Sequence, residues 1–347
     1  MTFRPFLYPG VGAKTRSQSA FYGRSTMPSA AGWYSVAYNG STFAALVTGT
    51  TAAATSTDGA TWTARTSAGS YNWSGMYAVG GTFCAVSNAG YAQTSTDGIT
   101  WTLRTLPRSH NYRLYGYFGG TQPAFLAIGD QYTAYSSNGG VTWTEGTLPE
   151  SYQYSGVAYN GTIWMAAAEN LGGWVTTSTN GTTWSAKKYI PELFDIDRVD
   201  KKGFYLTGPF VIGNDFYLFY HYNHRWVLKS SDGNTWTRVL RNNYNPYSPS
   251  GEGGEVFFSA PYASYASDGT TFTAINVYNG YGQGIFTTND FLTWRRKSSP
   301  RNDTYGYAFQ DRVSIAVGGG KLAAVFPAGS GQSACVYGTY SSAASRP

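Results

Sequence analysis

"TSTDGATWTART", residues 55–66, returns thirty-nine residues later as "TSTDGITWTLRT", residues 94–105. Each copy holds a hydroxyl residue, an Asp-Gly pair and a Trp between β-prone runs. Asp-Gly in that setting is a strong hairpin signal, because a tight turn needs positive φ and glycine adopts it at no steric cost. Four further copies follow: "SSNGGVTW" (136–143), "STNGTTW" (178–184), "SSDGNTW" (230–236) and "TTNDFLTW" (287–294). The first four are about 40 residues apart, a period that marks a repeat architecture.

A second element precedes each turn, a glycine turn followed by an apolar strand: "YNGSTFAAL", "VGGTFCAV", "FGGTQPAFLAI", "YNGTIWMAA", "IGNDFYLF", "SDGTTFTAI" and "GGGKLAAVF". Its recurring large apolar position falls at Phe43, Phe83, Phe125, Trp164, Phe216, Phe272 and Leu322. One unit therefore reads as strand, glycine turn, strand, variable loop, strand, Asp-Gly or Asn-Gly turn, strand. Seven such units predict an all-β protein, a seven-bladed β-propeller of four-stranded antiparallel blades.

The repeated turn resembles the Asp-box of sialidase-type and related repeat propellers, over about residues 31–340. Most copies are a residue shorter than the usual S-x-D-x-G-x-T-W form. The resemblance implies that Asp58, Asp97, Asn138, Asn180, Asp232 and Asn289 cap the amides of their turns. It also implies that Trp62, Trp101, Trp143, Trp184, Trp236 and Trp294 pack between blades. These are structural roles, and the motif implies a fold without implying an activity.

Seven glycine turns but six Trp turns leave the last blade a strand short. "SAFYGRST" (19–26) aligns with "ATWTARTS" (60–67), placing Phe21 where Trp62 stands and Arg24 where Arg65 stands. Residues 19–25 are therefore expected to supply the outer strand of the last blade, removing an open sheet edge. The propeller domain then spans residues 16–343. Residues 1–15 remain as an N-terminal arm, a possible anchor, or a tail.

Composition agrees with strands and tight turns: 30 Tyr, 19 Phe, 11 Trp and 43 Gly, with only 12% charged residues. The net charge of +6 is scattered apart from "DRVDKK" and "WRRKSSPR", and no recognised binding module accompanies it, so nucleic acid is not an expected partner. Cys84 and Cys335 fall in different repeats and read as small buried hydrophobes. The chain shows no signal-like start and no run of eighteen apolar residues, so neither export by signal peptide nor membrane insertion is expected.

Catalytic patterns are weak. "FRPF" (3–6) lacks the Ile of the sialidase Phe/Tyr-Arg-Ile-Pro segment. The six glutamates, Glu145, Glu150, Glu169, Glu192, Glu252 and Glu255, present no pair set apart for glycoside hydrolysis. Asp195, Asp197 and Asp200 read as a solvated or ion-paired loop. His221 and His224 have no third ligand nearby. No enzyme activity, cofactor or metal is expected.

The long connections "KKYIPELFDIDRVDKKGFYLTGPF", "RVLRNNYNPYSPSGEGGEVFF" and "RRKSSPRNDTYGYAFQDR", with the loops "HYNHRW" and "NVYNGYGQG", are expected on one half of one face. They nominate Tyr189, Tyr222, His224, Arg225, Tyr244, Tyr247, Tyr278, Tyr281, Arg301, Tyr305 and Tyr307 as ligand-binding residues, since tyrosine offers an apolar face with a polar tip. The composition resembles bacteriophage fibre, spike or decoration proteins. That resemblance implies a virion structural protein, made in the host cytoplasm and extracellular after release. Its partners would be other virion proteins through the arm, and a host-surface glycan or protein receptor. A glycoside hydrolase or lyase acting on host polysaccharide, and a pure protein-protein scaffold, are the alternatives.

Overall fold

The computed structural model describes residues 22–29, 31–117, 123–168, 173–190, 206–222, 224–241, 263–267, 272–276, 284–288, 295–298, 314–325 and 334–339, and these form strands and turns without a helix. They build seven four-stranded sheets, all antiparallel between neighbours.

The first described strand is β1 (Tyr22–Thr26), and six consecutive blades follow. Blade 1 holds β2 (Trp33–Tyr38), β3 (Phe43–Val47), β4 (Ala52–Ser56) and β5 (Thr63–Thr66). Blade 2 holds β6 (Trp73–Val79), β7 (Thr82–Ser87), β8 (Tyr91–Ser95) and β9 (Thr102–Thr105). Blade 3 holds β10 (Arg113–Tyr117), β11 (Ala124–Ile128), β12 (Tyr132–Ser136) and β13 (Thr144–Thr147). Blade 4 holds β14 (Tyr154–Tyr159), β15 (Trp164–Ala168), β16 (Trp174–Ser178) and the short β17 (Lys188–Tyr189). Blade 5 holds β18 (Leu206–Ile212), β19 (Asp215–Tyr222), β20 (His224–Ser230) and β21 (Thr237–Arg241). Blade 6 holds β22 (Ala263–Ser267), β23 (Phe272–Asn276), β24 (Gly284–Thr288) and β25 (Arg295–Ser298). Blade 7 holds β26 (Ser314–Gly318), β27 (Lys321–Val325) and β28 (Ala334–Thr339), and β1 completes it in the order β1-β28-β27-β26.

The ring is closed. Inner strand packs on inner strand from β26 to β2, then to β6, β10, β14 and β18, and β22 packs on β26. Blades 5 and 6 meet where the rings of Phe210 and Phe272 lie 4.7 Å apart. The closing strand is the one expected from "SAFYGRST", in the register Tyr22↔Gly338 to Thr26↔Ala334. Residues 19–21 of that segment, and the arm at 1–15, lie outside the described residues.

The core is a series of layers between blades, which explains why the second strands read as continuous apolar runs. Every residue of β3 is buried. Phe43, Ala45 and Val47 join a layer with Ala316, Ala323 and Val325 of blade 7, whereas Ala44 and Leu46 join Trp73, Met76 and Phe83 of blade 2. Side chains thus alternate between two buried faces with the strand's period of two. The seven recurring apolar positions are at most 2% exposed, and each contributes on the order of 1.5–3 kcal/mol by burial.

Candidate functional site

The repeated turn builds one face of the ring. In its second copy the Ser95 hydroxyl donates to Asp97 Oδ1 at 2.9 Å and accepts the Gly98 amide at 2.8 Å. Asp97 Oδ1 also accepts the amides of Ile99 and Thr100, each at 2.8 Å. Asp58, Asn180 and Asp232 accept the equivalent pairs of amides, and Asn138 accepts that of Thr142. Asn289 and Trp294 lie outside the described residues.

Those bonds act on the acidic copies electrically. The Thr100 and Ile99 amides, accepted by Asp97, outweigh its slight burial and hold its carboxyl below the ordinary range. Asp232 is held down first by the Thr235 amide. For Asp58 burial pushes upward, but the Thr61 amide, the Ser56 hydroxyl and the Ala60 amide together pull it below the ordinary value.

The glycine of the turn decides how closely blades approach. Gly98 has φ +73°, and a Cβ there would stand 2.9 Å from Thr55 Cγ2 and 3.2 Å from Ala44 Cβ of the preceding blade. The indoles of Trp62, Trp101 and Trp143 close their own turns, donating to the carbonyls of Gly59, Gly98 and Gly140 at 2.9, 3.0 and 3.0 Å. Trp62 packs on the layer shared by blades 7 and 1, and Trp101 on that shared by blades 1 and 2. Trp184 keeps the place but its Nε1 is buried without a partner. Trp236 is 5% exposed in the layer of blades 4 and 5.

Single side chains join the inner strands of successive blades. Ser314 Oγ accepts the Val36 amide and Ser35 Oγ accepts the Met76 amide. Ser74 donates to the Tyr112 carbonyl, Arg113 Nη1 to that of Tyr154, and Ser155 to that of Gly208. On the turn face Asn39 Nδ2 reaches the carbonyls of Gly81 and Thr96 in the next blade, and Asn160 Nδ2 those of Asn214 and Ser231. Sequence reasoning missed these groups. The signal for two of them was present, since "YNG" stands at 38–40 and 159–161 where three other units carry glycine pairs.

The inner strands enclose a central channel of about 780 Å³. Tyr34, Tyr38, Tyr77, Tyr115, Tyr159 and Phe210 line it with aliphatic and small side chains and a few serines between them, and no Asp, Glu, His, Lys or Arg among the described residues does. Tyr77 is 39% exposed to this space. The protein around it nevertheless raises its phenol, because a phenolate there would be poorly solvated. The described acids lie elsewhere: Glu145 is paired with Arg108, Glu150 with Lys187 and Asp215 with Lys229, Asp130 Oδ2 is 4.0 Å from His110 Nε2, and the other three aspartates are in their turns. No group of three His, Cys, Asp or Glu that could hold a metal occurs among the described residues. Burial pushes the Cys84 thiol up, away from reactivity.

Of the residues nominated from the variable loops, Tyr189 lies in β17 opposite Trp174, is 50% exposed, and has Lys187 Nζ 5.7 Å from its ring centroid. Tyr222, His224 and Arg225 correct one expectation. "HYNHRW" is not a free loop but the end of a long hairpin, with Tyr222 paired to His224 and His221 to Arg225. Continued β-pairing there is favoured by a run of aromatic and β-branched residues on both strands. Tyr244, Tyr247, Tyr278, Tyr281, Arg301, Tyr305 and Tyr307 lie outside the described residues, as do Asp195, Asp197 and Asp200.

No protein-family model and no curated protein sequence matches this chain. Its fold does match solved structures. YCF48 bound to D1 peptide superposes with a TM-score of 0.58 at 12% identity, covering 94% of this chain and 97% of that one. Virginiamycin B lyase from Staphylococcus aureus, in a selenomethionine-substituted structure, gives 0.57 at 12%, covering 93% and 100%. The N-terminal domain of Nup159 gives 0.52 at 10%, covering 92% and 96%. These proteins differ in what they do, and at such identity the likeness carries the fold alone: the chain is a β-propeller.

Proposed function

We propose that this chain is a non-catalytic binding module and serves as a structural protein of a bacteriophage virion, presenting a receptor- or glycan-binding surface on a rigid ring. The observation that carries the binding reading is the channel. It is walled by tyrosine rings, aliphatic side chains and a few serines, with no carboxylate, imidazole, amine or guanidinium for proton transfer among its described lining residues. A chain with 12% charged residues, 30 Tyr and 43 Gly offers hydroxyls and ring faces rather than charge, which suits recognition of host-surface glycan or protein outside a cell. The N-terminal arm would attach the ring to other virion proteins.

A second reading is supported by a fold neighbour. YCF48 has been solved bound to D1 peptide, so a propeller of this kind could instead be a scaffold between proteins. Mass spectrometry and immunolabelling of purified particles test the virion role, with the chain expected in the particle. Adsorption of purified protein to host cells tests binding, with Tyr247→Ala and Tyr281→Ala as probes of the loop face. Absence from particles removes the virion role. Turnover of host polysaccharide would replace binding with hydrolase or lyase activity.

A further inference from the structure

We propose that the central channel is itself a binding site, for the neutral, hydroxyl-rich end of a glycan, with Tyr34 and Tyr77 as its polar anchors. The inference rests on the binding-module reading and assigns that module's ligand to the channel rather than to the loop face.

The starting point is a register irregularity that recurs. β2, β6 and β14 each carry one extra residue at the same place, between Trp33 and Ser35, between Trp73 and Gly75, and between Tyr154 and Gly156. Such bulges re-aim a side chain. In blades 2 and 4 the re-aimed residue is a serine, Ser74 or Ser155, and its hydroxyl ties the blade to the next one. Blade 1 makes its tie from Ser35 instead, which accepts the Met76 amide at 2.9 Å. The bulge position is thereby released, and it holds Tyr34. This side chain lines the channel, and its hydroxyl makes no hydrogen bond among the described residues.

Tyr77 arrives from the neighbouring blade. It is 39% exposed and also lines the channel, and its hydroxyl likewise makes no hydrogen bond among the described residues. Its ring is seated against Gly116, where a Cβ would come within 2.8 Å of Tyr77 Cδ1. The glycine makes room for the ring against the wall.

The chemistry selects the ligand. Aromatic faces stack on the C–H faces of sugar rings while phenol and amide groups meet their hydroxyls. With no cation on the described wall, a carboxylated or phosphorylated ligand finds no counter-charge. An extended peptide is disfavoured for a separate reason. Strand addition needs free edge groups, and the Val36 and Met76 amides and the Tyr112, Tyr154 and Gly208 carbonyls are already used in ties between blades. A cavity of about 780 Å³ is within the range of small-ligand sites.

The test uses the full chain on an array of neutral glycans, anionic glycans and peptides, followed by calorimetric titration of the best neutral hit. Tyr34→Phe and Tyr77→Phe, which remove only a hydroxyl, are expected to weaken binding about three- to tenfold each. Tyr34→Ser, which installs the residue the other two bulges carry, is expected to weaken it about thirtyfold or more with no fall in the melting midpoint. Wild-type protein that binds no neutral glycan, or prefers anionic glycans or peptides, overturns the proposal. Neutral-glycan binding that survives all three substitutions also overturns it, while leaving a binding module whose site is elsewhere. Turnover of the bound glycan overturns the non-catalytic reading and this proposal together.

Discussion

On one face of the ring the turn at Asp97 repeats every bond of the turn at Asp58 but the long one from the Asp58 amide to Ser56 Oγ. On the other, corresponding places are filled differently in blades 2, 3 and 4. Tyr71 stacks on Tyr91 with ring centroids 4.4 Å apart. In blade 3 the same place brings His110 to 5.6 Å and the Arg108 guanidinium to 4.1 Å from the Tyr132 ring, and in blade 4 Tyr152 and Tyr154 meet Trp174 edge-on. The recurring element on this second face is a position, the residue that opens the third strand, and not a side chain. The turn face is constrained because its glycines press on the preceding blade. The loop face has only to cover the end of its own layer, which many side chains can do.

Four experiments would break or sharpen this contrast. The largest effect is expected from deleting residues 1–26, which removes β1 and its bond from Ser25 to the carbonyl of Ala60 on the first turn. The exposed edge of β28 should drive aggregation, read by light scattering, whereas deletion of residues 1–14 should leave a monodisperse protein. Equal behaviour of the two truncations would mean that the closing strand is dispensable. Next is Gly98→Ala, which places a methyl against Thr55 and Ala44 at positive φ and should cost about 2–4 kcal/mol by denaturant unfolding.

Asp97→Ala should cost about 1–3 kcal/mol, since two turn amides lose their acceptor, but Asp97→Asn should cost much less at neutral pH because Asn180 makes the same bonds. The two also separate in acid. Asp58, Asp97 and Asp232 have lowered folded-state pKa values, so their stabilisation is present above the ordinary carboxylate value, about 3.9, and is lost as pH falls through the lowered ones. The melting midpoint should therefore drop on acidification below about pH 4, less steeply in Asp97→Asn. The smallest effect belongs to the loop face: Arg108→Ala breaks an exposed 2.6 Å pair with Glu145 and should leave the unfolding midpoint almost unchanged. A loss comparable to that of Gly98→Ala would show that both faces are equally constrained.

The same contrast governs what could be read from the sequence. Asp97, Gly98 and Trp101 are bonded within a few residues of one another, so their geometry is written in a contiguous motif. The closing strand was legible because "SAFYGRST" keeps the pattern of the outer strand it replaces. Ser35, Ser74 and Ser155 were not legible, because each bonds a residue 38 to 53 positions away and a lone serine in an apolar strand carries no pattern. Tyr34 was hidden for a related reason. Only the register of β2 against β3 shows it to be the extra residue, and sequence reading placed function in the loops while treating the inner strands as scaffold.

The pairing of β1 with β28 also has a mechanical consequence. Tyr22 lies beside Gly338 and Thr26 beside Ala334, so the first end of the ladder to feel a pull on the N-terminal side is the end nearest the C-terminus. Tension between the two chain ends would peel this ladder one residue pair at a time, at low force. Tension between the N-terminal segment and the far side of the ring would instead load several pairs in parallel and meet far greater resistance. A propeller held by its N-terminal side and loaded through its channel would therefore be strongest in the second geometry, and force spectroscopy with the two attachment points exchanged would measure the ratio.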